Sequence, residues 1–588
     1  MNAIPAATTS APNKGSLGAF TRELIREAIV ATCEQMSLAV IRTSHSETVK
    51  SAMDFSTAIC DATGEMVGQG VTLPNQLGAI PDAVESIFRT FGNDLEPGDI
   101  IILNDPFAGG THLPDIYVIA PVFYDRALIA LIATVAHHAD LGGMAAGSMS
   151  PHAEECYQEG LRIPPVKFYV RGKPNPAVHA LIRANCRIPD VVLGDFAAQV
   201  VACRTGEAGL LKLVDAYGLE TLLEHLRDLL DYTEGLTRAE IRSLPDGTYT
   251  YTDYLDDDGL RPEHIPITVK ITIRDDEIEA DFEGSSPQLP VPLNSTLSFT
   301  KSCVYYALRT LMRTDIPHNA GFFRAITVKA PRGTILNCVL PAATATRGLT
   351  GFRVADTVFG ALAKALPDRV MGASDGGLTL VGIAGRRGER DSFTVLELLS
   401  GAWGGRSDRD GLEGVANLGA NISNIPIEML ESAYPVRIEQ YGFVADTGGA
   451  GKFRGGLSTV RDYRLLQDAM LTVRADRQRI LPYGVEGGAE GTPSVNVLNP
   501  DTEPRKLPSK FGEHVKQGDL FRHLTAGAGG WGNPLERAPA DVARDVWNGK
   551  LSAEYARREY RVVLTQDDEV DEPATAEFRQ HARPEPDA

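Results

Sequence analysis

The sequence predicts a mixed α/β (α+β) fold: one large, multi-lobed subunit with several mixed sheets and packed helices. Three observations predict it. Apolar residues recur at helical spacing near the N-terminus, they alternate with polar ones in the middle third, and a glycine-rich run of short strands fills much of the rest. The 588 residues are enough to bury more than one core. Hydrophobic residues make up 43% and charged residues 23%, ordinary values for a globular chain.

Residues 1–20 read as a flexible lead with one lysine and no apolar run of the secretory kind. From Thr21, FTRELIREAIVATCEQMSLAVIRTS spaces its apolar residues as an amphipathic helix does. STAICDATGEMVG then reads as a hairpin turning at residues 61–64, and IPDAVESIFRTFG as a second helix. DIIILNDPF and YVIAPVFYDRALIALIATVAHH alternate strand and turn. The apolar core of the latter, ALIALIATVA, is ten residues long, too short to span a bilayer as a helix. Residues 208–243 are helical, with Asp246-Gly247 as a boundary, so residues 21–245 form a first α/β lobe.

GTYTYTDYL and HIPITVKITIRDDEIEADFEG show period-2 alternation, and residues 296–313 are helical, giving a β-rich lobe over 246–350. A Gly-rich α/β lobe follows over 351–563, in which TAGAGGWGNP is a loop by composition. It closes on two short helices, DVARDVWN and SAEYARREY, separated by Gly549 as C-cap and Ser552 as N-cap. Residues 564–588 read as a disordered acidic tail: from Gln566 there are eight acidic residues against two arginines.

Composition also excludes functions. The 57 basic and 77 acidic residues give a formal charge of −20, which argues against a basic nucleic-acid-binding surface. The seven cysteines are scattered without a C-x-x-C, an odd, sparse set that is no disulfide framework, and a reducing cytoplasm fits them best. Cys156 sits among Glu154, Glu155 and Glu159, neighbours that disfavour a thiolate. TGGAGKFRGG (447–456) lacks the P-loop spacing: Asp446 stands where the first glycine belongs and Phe453 where Ser or Thr belongs, so it reads as a tight hairpin. LDDDGLRPEH lacks EF-hand spacing and reads as a solvated turn. No G-x-S-x-G elbow, H-E-x-x-H or G-x-G-x-x-G fingerprint appears in an adequate context.

Chemistry concentrates in the first 160 residues. NDPFAGGTHLPD (104–115) leaves a strand and carries His112 and Asp115; a buried apolar run ends in His137, His138 and Asp140; and Asp54 stands at the head of another strand. Two imidazoles and two carboxylates at strand ends are ligands for a divalent zinc, manganese or iron(II) ion. The plainer alternative is that each side chain caps a turn or satisfies loop backbone.

NDPFAGGTHLPDIYVIAPVF, HHADLGG and EGLRIPPVK resemble the signature of the hydantoinase B/5-oxoprolinase family, which also includes the large subunits of acetone and acetophenone carboxylases. The resemblance runs on through NSTLSFTKSCVYYALRTLM, DIPHNAGFFRAITV and the closing TAGAGGWGNPLERAPADVARDVWNGKLS, over about residues 21–563. It implies a metal-containing B subunit of an ATP-dependent cyclic amidohydrolase acting on hydantoin, N-methylhydantoin, 5-oxoproline or a lactam. A partner A-type subunit would bind ATP and magnesium, and the two would form a cytoplasmic hetero-oligomer. The resemblance places the metal ligands on Asp54, His112, Asp115 and His137, with His138 and Asp140 orienting a ligand or carrying a proton. Where family members often show His-Leu-Gly this chain has Gln76-Leu-Gly, which bears on pocket polarity. The alternatives are a ketone carboxylase large subunit, a scaffold with a structural metal, and a self-sufficient metallohydrolase.

Overall fold

The computed structural model describes residues 14–387 and 391–580. Among these the elements form 13 α-helices and five sheets, the multi-lobed α+β arrangement expected from the sequence.

The first lobe is built on seven strands: β1 (Phe55–Asp61), β2 (Met66–Gln69), β3 (Ile100–Leu103), β4 (Asp115–Tyr124), β5 (Ala127–His137), β6 (Val166–Val170) and β7 (Lys173–Pro174). Their order across the sheet is β2-β1-β5-β4-β3-β6-β7, and every neighbouring pair is antiparallel. β5 is buried from Ile129 to His137, which explains its nearly continuous apolar run. Helices Lys14–Thr43, Pro189–Tyr217 and Leu219–Ile241 share the sheet's core. Gly206 lets the second of these approach: a Cβ there would lie 2.6 Å from both Ile132 Cγ2 and Met36 Sδ. The N-terminal helix starts at Lys14, inside the segment read as a lead; residues 1–13 lie outside the described residues.

The second lobe's sheet joins β8 (Gly247–Leu255), β9 (Ile265–Arg274), β10 (Glu277–Asp281) and β11 (Ile326–Lys329), in the order β11-β10-β9-β8. Alternate residues of β9 (Ile265, Ile267, Val269, Ile271 and Ile273) face one core, as period 2 dictates. Helices Leu297–Leu311 and Arg347–Leu362 supply the rest of that core. The latter falls where the sequence pattern predicts glycine-rich loops and short strands. It is buried at every position but Gly348, so it shows no polar face to mark it as a helix.

The third lobe carries β12 (Thr379–Arg387), β13 (Asp391–Leu399), β14 (Gly401–Ala402), β15 (Glu413–Val415), β16 (Val436–Val444), β17 (Ser458–Leu465), β18 (Ala469–Arg474), β19 (Val495–Leu498), β20 (Arg505–Leu507), β21 (Lys510–Val515) and β22 (Leu520–Leu524). A four-stranded sheet, β13-β12-β18-β21, and a five-stranded one, β16-β17-β22-β19-β20, share a core. Glu397 of β13 accepts from Arg461 Nη2 at 2.7 Å and from the Tyr463 hydroxyl, both on β17 and all buried, tying the sheets together.

The glycine-rich stretches do more than turn. Extended segments around residues 402–405, 447–456, 484–491 and 526–532 lie side by side and exchange backbone hydrogen bonds. Gly405 N donates to Gly529 O (2.9 Å), Gly449 N to Ala528 O (2.8 Å), Gly530 N to Ala489 O (2.9 Å) and Ala489 N to Ala450 O (2.7 Å). A Cβ at Gly527 would fall 1.8 Å from Thr447 O, and one at Gly529 would fall 1.9 Å from Tyr483 O. Residues 447–456 are therefore part of a backbone bundle rather than an isolated hairpin. The expected solvated turn near 256–258 is likewise packed: buried Asp256 accepts the backbone N–H groups of Gln478, Arg479 and Ile480.

Helices Pro539–Trp547 and Ala553–Tyr560 close this lobe as expected, with Gly549 at φ +69° and Ser552 Oγ accepting Tyr555 N–H at 3.0 Å. The acidic segment after them is ordered over its described residues, 564–580, contrary to its composition; residues 581–588 lie outside the described residues. It forms helix Glu572–Gln580, docked by buried Thr575, whose Oγ1 accepts Val563 N–H, and by Arg579, which donates to the Tyr560 and Arg537 carbonyls. Such polar anchoring is invisible to a charge count. All seven cysteines are free thiols. Among the described residues no helix is long and apolar enough to cross a membrane.

The glycine bundle yields a test. Replacing Gly527 with alanine is expected to lower stability by about 2 kcal/mol or more, because the carbonyl it meets belongs to the backbone and cannot rotate away. A thermal melt checks this, and an unchanged midpoint would show that the bundle tolerates side chains.

Candidate functional site

The site follows from strand register. Phe55 of β1 pairs with Ala136 of β5, and Ala136 pairs with Ile116 of β4. One residue further along, Asp54, His137 and Asp115 stand side by side across three adjacent strands. Asp115 pairs directly with His137, and His137 N–H donates to the Asp54 carbonyl at 3.0 Å. Residues in one row of an antiparallel sheet present their side chains to one face, so backbone pairing alone gathers these three. His112 joins them from the turn that ends with its carbonyl accepting Asp115 N–H (3.2 Å).

All four side chains are buried and line one cavity of about 60 Å³, room for a few waters or a small ring. Its other walls come from all three lobes: Leu73, Gln76 and Met149 from the first, Arg347, Leu349 and Phe352 from the second, and Leu378, Leu380 and Arg474 from the third.

Polar contacts orient His112, Asp115 and Asp54. His112 Nδ1 lies 3.0 Å from the Ala345 carbonyl, which can only accept, so Nδ1 carries the proton and Nε2 presents a lone pair. His112 Nε2 stands 3.3 Å from Asp115 Oδ1, and the two imidazole rings are 5.0 Å apart. Neither His112 Nε2 nor His137 Nδ1 has a hydrogen-bond partner among the described residues. Asp115 accepts from Thr111 Oγ1 and from Arg347 Nη2. The Gln76 amide nitrogen lies between the carboxylates, 3.0 Å from Asp54 Oδ1 and 3.3 Å from Asp115 Oδ1, while its oxygen accepts from Ser56 Oγ at 2.8 Å.

Burial first, and then the neighbouring Asp115 carboxylate, pushes Asp54 up from the usual range. Burial would do the same to Asp115, but the Arg347 guanidinium overcomes it and holds that carboxyl well below normal. Burial keeps both imidazoles neutral, His137 down to about 3. Neutral imidazoles beside an ionised carboxylate are the protonation states a divalent metal needs.

As the side chains stand, no three or more His, Cys, Asp or Glu residues among those described close around one point tightly enough to hold an ion. The Gln76 amide separates the carboxylates and Arg347 occupies one oxygen of Asp115. The chemistry of the donor set and its two imidazole nitrogens without a hydrogen-bond partner fit a metal.

The structure does not bring His138 and Asp140 to this cavity. Strand alternation turns His138 to the opposite face from His137, where its ring lies 4.5 Å from Phe196 and Nε2–H donates to Gln199 Oε1 at 2.9 Å. Asp140 organises its own loop: it accepts from Gly142 N and Gly147 N at 3.0 Å each, and from the backbone and guanidinium of Arg187 at 2.9 Å each. Sequence reading missed Arg347, Arg474 and the Ala345 carbonyl, which lie far along the chain with no motif spacing to the histidines. Glu159 opens the EGLRIPPVK motif, but its task emerges only from the fold: its carboxylate accepts Thr344 N–H (3.0 Å) and Ala345 N–H (2.7 Å), holding the segment that orients His112.

Comparisons with known proteins agree with this architecture. A family model described as hydantoinase B/oxoprolinase matches residues 18–534. The B subunit of a putative D-/L-hydantoinase from Pseudomonas sp. (strain NS671) is 33% identical over 95% of this chain and 98% of its own length. The crystal structure of an ATP-dependent caprolactamase from Pseudomonas jessenii superposes with a TM-score of 0.89 at 33% identity, covering 96% of this chain and 99% of that one. A nucleotide-free acetone carboxylase structure shares the fold, with a TM-score of 0.87 at 19% identity over 97% and 83% of the two chains.

The placement of Asp140 makes a prediction. Asp140→Ala leaves buried N–H groups without an acceptor and should cost about 3 kcal/mol, seen as a lower denaturation midpoint and faster proteolysis of the 138–150 loop. Affinity for divalent metal should be unchanged; lost affinity at unaltered stability would return Asp140 to the site.

Proposed function

The chain belongs to the hydantoinase B/oxoprolinase family, and from that premise we propose that it is the metal-containing B subunit of an ATP-dependent cyclic amidohydrolase. The observation that carries this reading is the row of Asp54, His137 and Asp115, completed by His112, on the floor of a small, mostly apolar cavity. A cyclic amide is a small ring with little charge, and such walls suit it. In this reading a partner A-type subunit supplies ATP and magnesium and phosphorylates the amide oxygen; residues 447–456, without P-loop spacing, are not an ATP site. Phosphorylation turns a poor electrophile into one with a good leaving group, and water then opens the ring.

Asp54, His112, Asp115 and His137 would hold one divalent ion, zinc, manganese or iron. When bound, that ion supplies Lewis acidity that brings the pKa of water towards neutrality. The protein's own residues prepare the centre. The Ala345 carbonyl fixes the His112 tautomer, Arg347 keeps Asp115 ionised, and the backbone bond between His137 and Asp54 sets their spacing. Gln76, anchored by Ser56, places amide N–H groups against both carboxylates. Leu73, Met149, Leu349 and Phe352 exclude bulk water from the activated ring.

The test uses the chain purified with its ATP-binding partner. His112→Ala should lose bound metal, measured by plasma mass spectrometry, and reduce ATP-dependent ring opening by about a hundredfold or more, while circular dichroism and co-elution with the partner stay unchanged. Full activity in the variant would overturn the metal role. A substrate panel of hydantoins, 5-oxoproline and lactams, set against ketones with bicarbonate, decides the reaction class: turnover of ketones alone would replace the hydrolase with a carboxylase.

A further inference from the structure

Seven arginines are buried among the described residues, and six of them are paired with carboxylates. Arg347 meets Asp115, Arg353 meets Asp476, Arg454 meets Glu413, Arg461 meets Glu397, Arg477 meets Asp356 and Arg537 meets Asp410. Arg474 is the exception. It is 2% exposed, and Nε, Nη1 and Nη2 all lack a hydrogen-bond partner among the described residues. The acid that acts on it electrostatically is Glu159, whose two oxygens are already engaged by Thr344 N–H and Ala345 N–H. Burial lowers its pKa to about 9, so it remains a cation at neutral pH.

Its position is fixed. Arg474 ends β18, paired with Leu380 on one side and Lys510 on the other, and its side chain lines the same cavity as Asp54, His112, Asp115 and His137. An isolated buried guanidinium is costly, and a planar fork of five N–H donors matches an oxyanion with two oxygens in reach. Arg474 and the four candidate ligands line one small cavity, so a molecule bound there faces both.

We infer that Arg474 is the anion receptor of this cavity, binding an oxyanion group carried by the ligand whose ring lies over Asp54, His112, Asp115 and His137. The inference rests on the cyclic-amide reading for the identity of that ring. The shared chemistry is a delocalised oxyanion, and it has two sources: the phosphoryl group placed on the amide oxygen, or a carboxylate on the ring. Bidentate donation to either would orient the ring relative to the two histidines and satisfy the orphaned donors. Arg474 is thus a substrate-binding residue.

The metal-loaded full chain, with its partner absent, is titrated calorimetrically with inorganic phosphate, with 5-oxoproline and with 2-pyrrolidinone, the same ring without the carboxylate. Wild type should bind at least one anion, and Arg474→Met should weaken that binding by about 10- to 100-fold, the worth of charge-assisted hydrogen bonds. Arg474→Lys keeps the charge and the fold but loses the fork, and should fall between. Binding of 2-pyrrolidinone and metal content should not move. Phosphate binding that depends on Arg474 identifies a phosphoryl receptor; preference for 5-oxoproline over 2-pyrrolidinone that depends on Arg474 identifies a carboxylate receptor. Failure of wild type to bind either anion, or equal binding by Arg474→Lys and Arg474→Met, overturns the inference. Arg474-dependent anion binding in a protein that opens no ring with ATP and partner would instead overturn the cyclic-amide reading and leave the receptor standing.

Discussion

Asp54, His137 and Asp115 occupy one row across β1, β5 and β4, and the rest of the site is arranged around the consequences. Backbone pairing forces two carboxylates and an imidazole together at a buried sheet end, where like charges repel and desolvation penalises ionisation. The observed compensation is specific. Arg347 stabilises one carboxylate, the Gln76 amide bridges both, and the unfavourable remainder falls on Asp54, whose carboxyl is pushed towards the neutral form. A row assembled in this way is stable only when a positive partner is present, and part of that positive charge comes from outside the first lobe.

That requirement couples the lobes. Arg347 and the Ala345 carbonyl belong to the second lobe, yet they set the charge of Asp115 and the tautomer of His112 in the first. Glu159, a first-lobe residue, in turn holds Thr344 and Ala345 by their backbone N–H groups. The third lobe is fastened by backbone bonds from Asn75 N–H to Gly419 O (2.9 Å) and from Ser423 N–H to Ala52 O (3.1 Å). The cavity lies where these contacts meet, so docking of the lobes and preorganisation of the site are one structural event. Within the third lobe β18 is held on both edges, by β12 and β21, with Arg474 at its end.

Much of the fold was legible because its signals are local. Helical spacing after Thr21, alternation in β9, the Asp61–Gly64 turn and the Gly549–Ser552 caps each depend on residues a few positions apart. Helix Arg347–Leu362 was not, because burial on all sides removes the amphipathic pattern. The glycine segments were illegible for another reason: what glycine permits there is contact between carbonyls and α-carbons tens of residues apart. Order in the acidic C-terminal segment rests on a few bonds from Thr575 and Arg579, which composition averages away.

For the site, local pattern showed which residue types gather at the strand ends: Asp54 precedes β1, Asp115 opens β4, His137 closes β5, and His112 stands in the turn before β4. The resemblance put His137 among the ligands with His138 and Asp140 in supporting roles, but adjacency along a chain does not say which face of a sheet each side chain takes once register is set. Strand register set the faces, through the pairing of Asp115 with His137, and the folded chain brought Arg347 and Arg474 to the same cavity from more than two hundred residues away. The physical reason is range: propensity and periodicity act over a few residues, whereas burial of charge is balanced by whichever partners the folded chain places within reach.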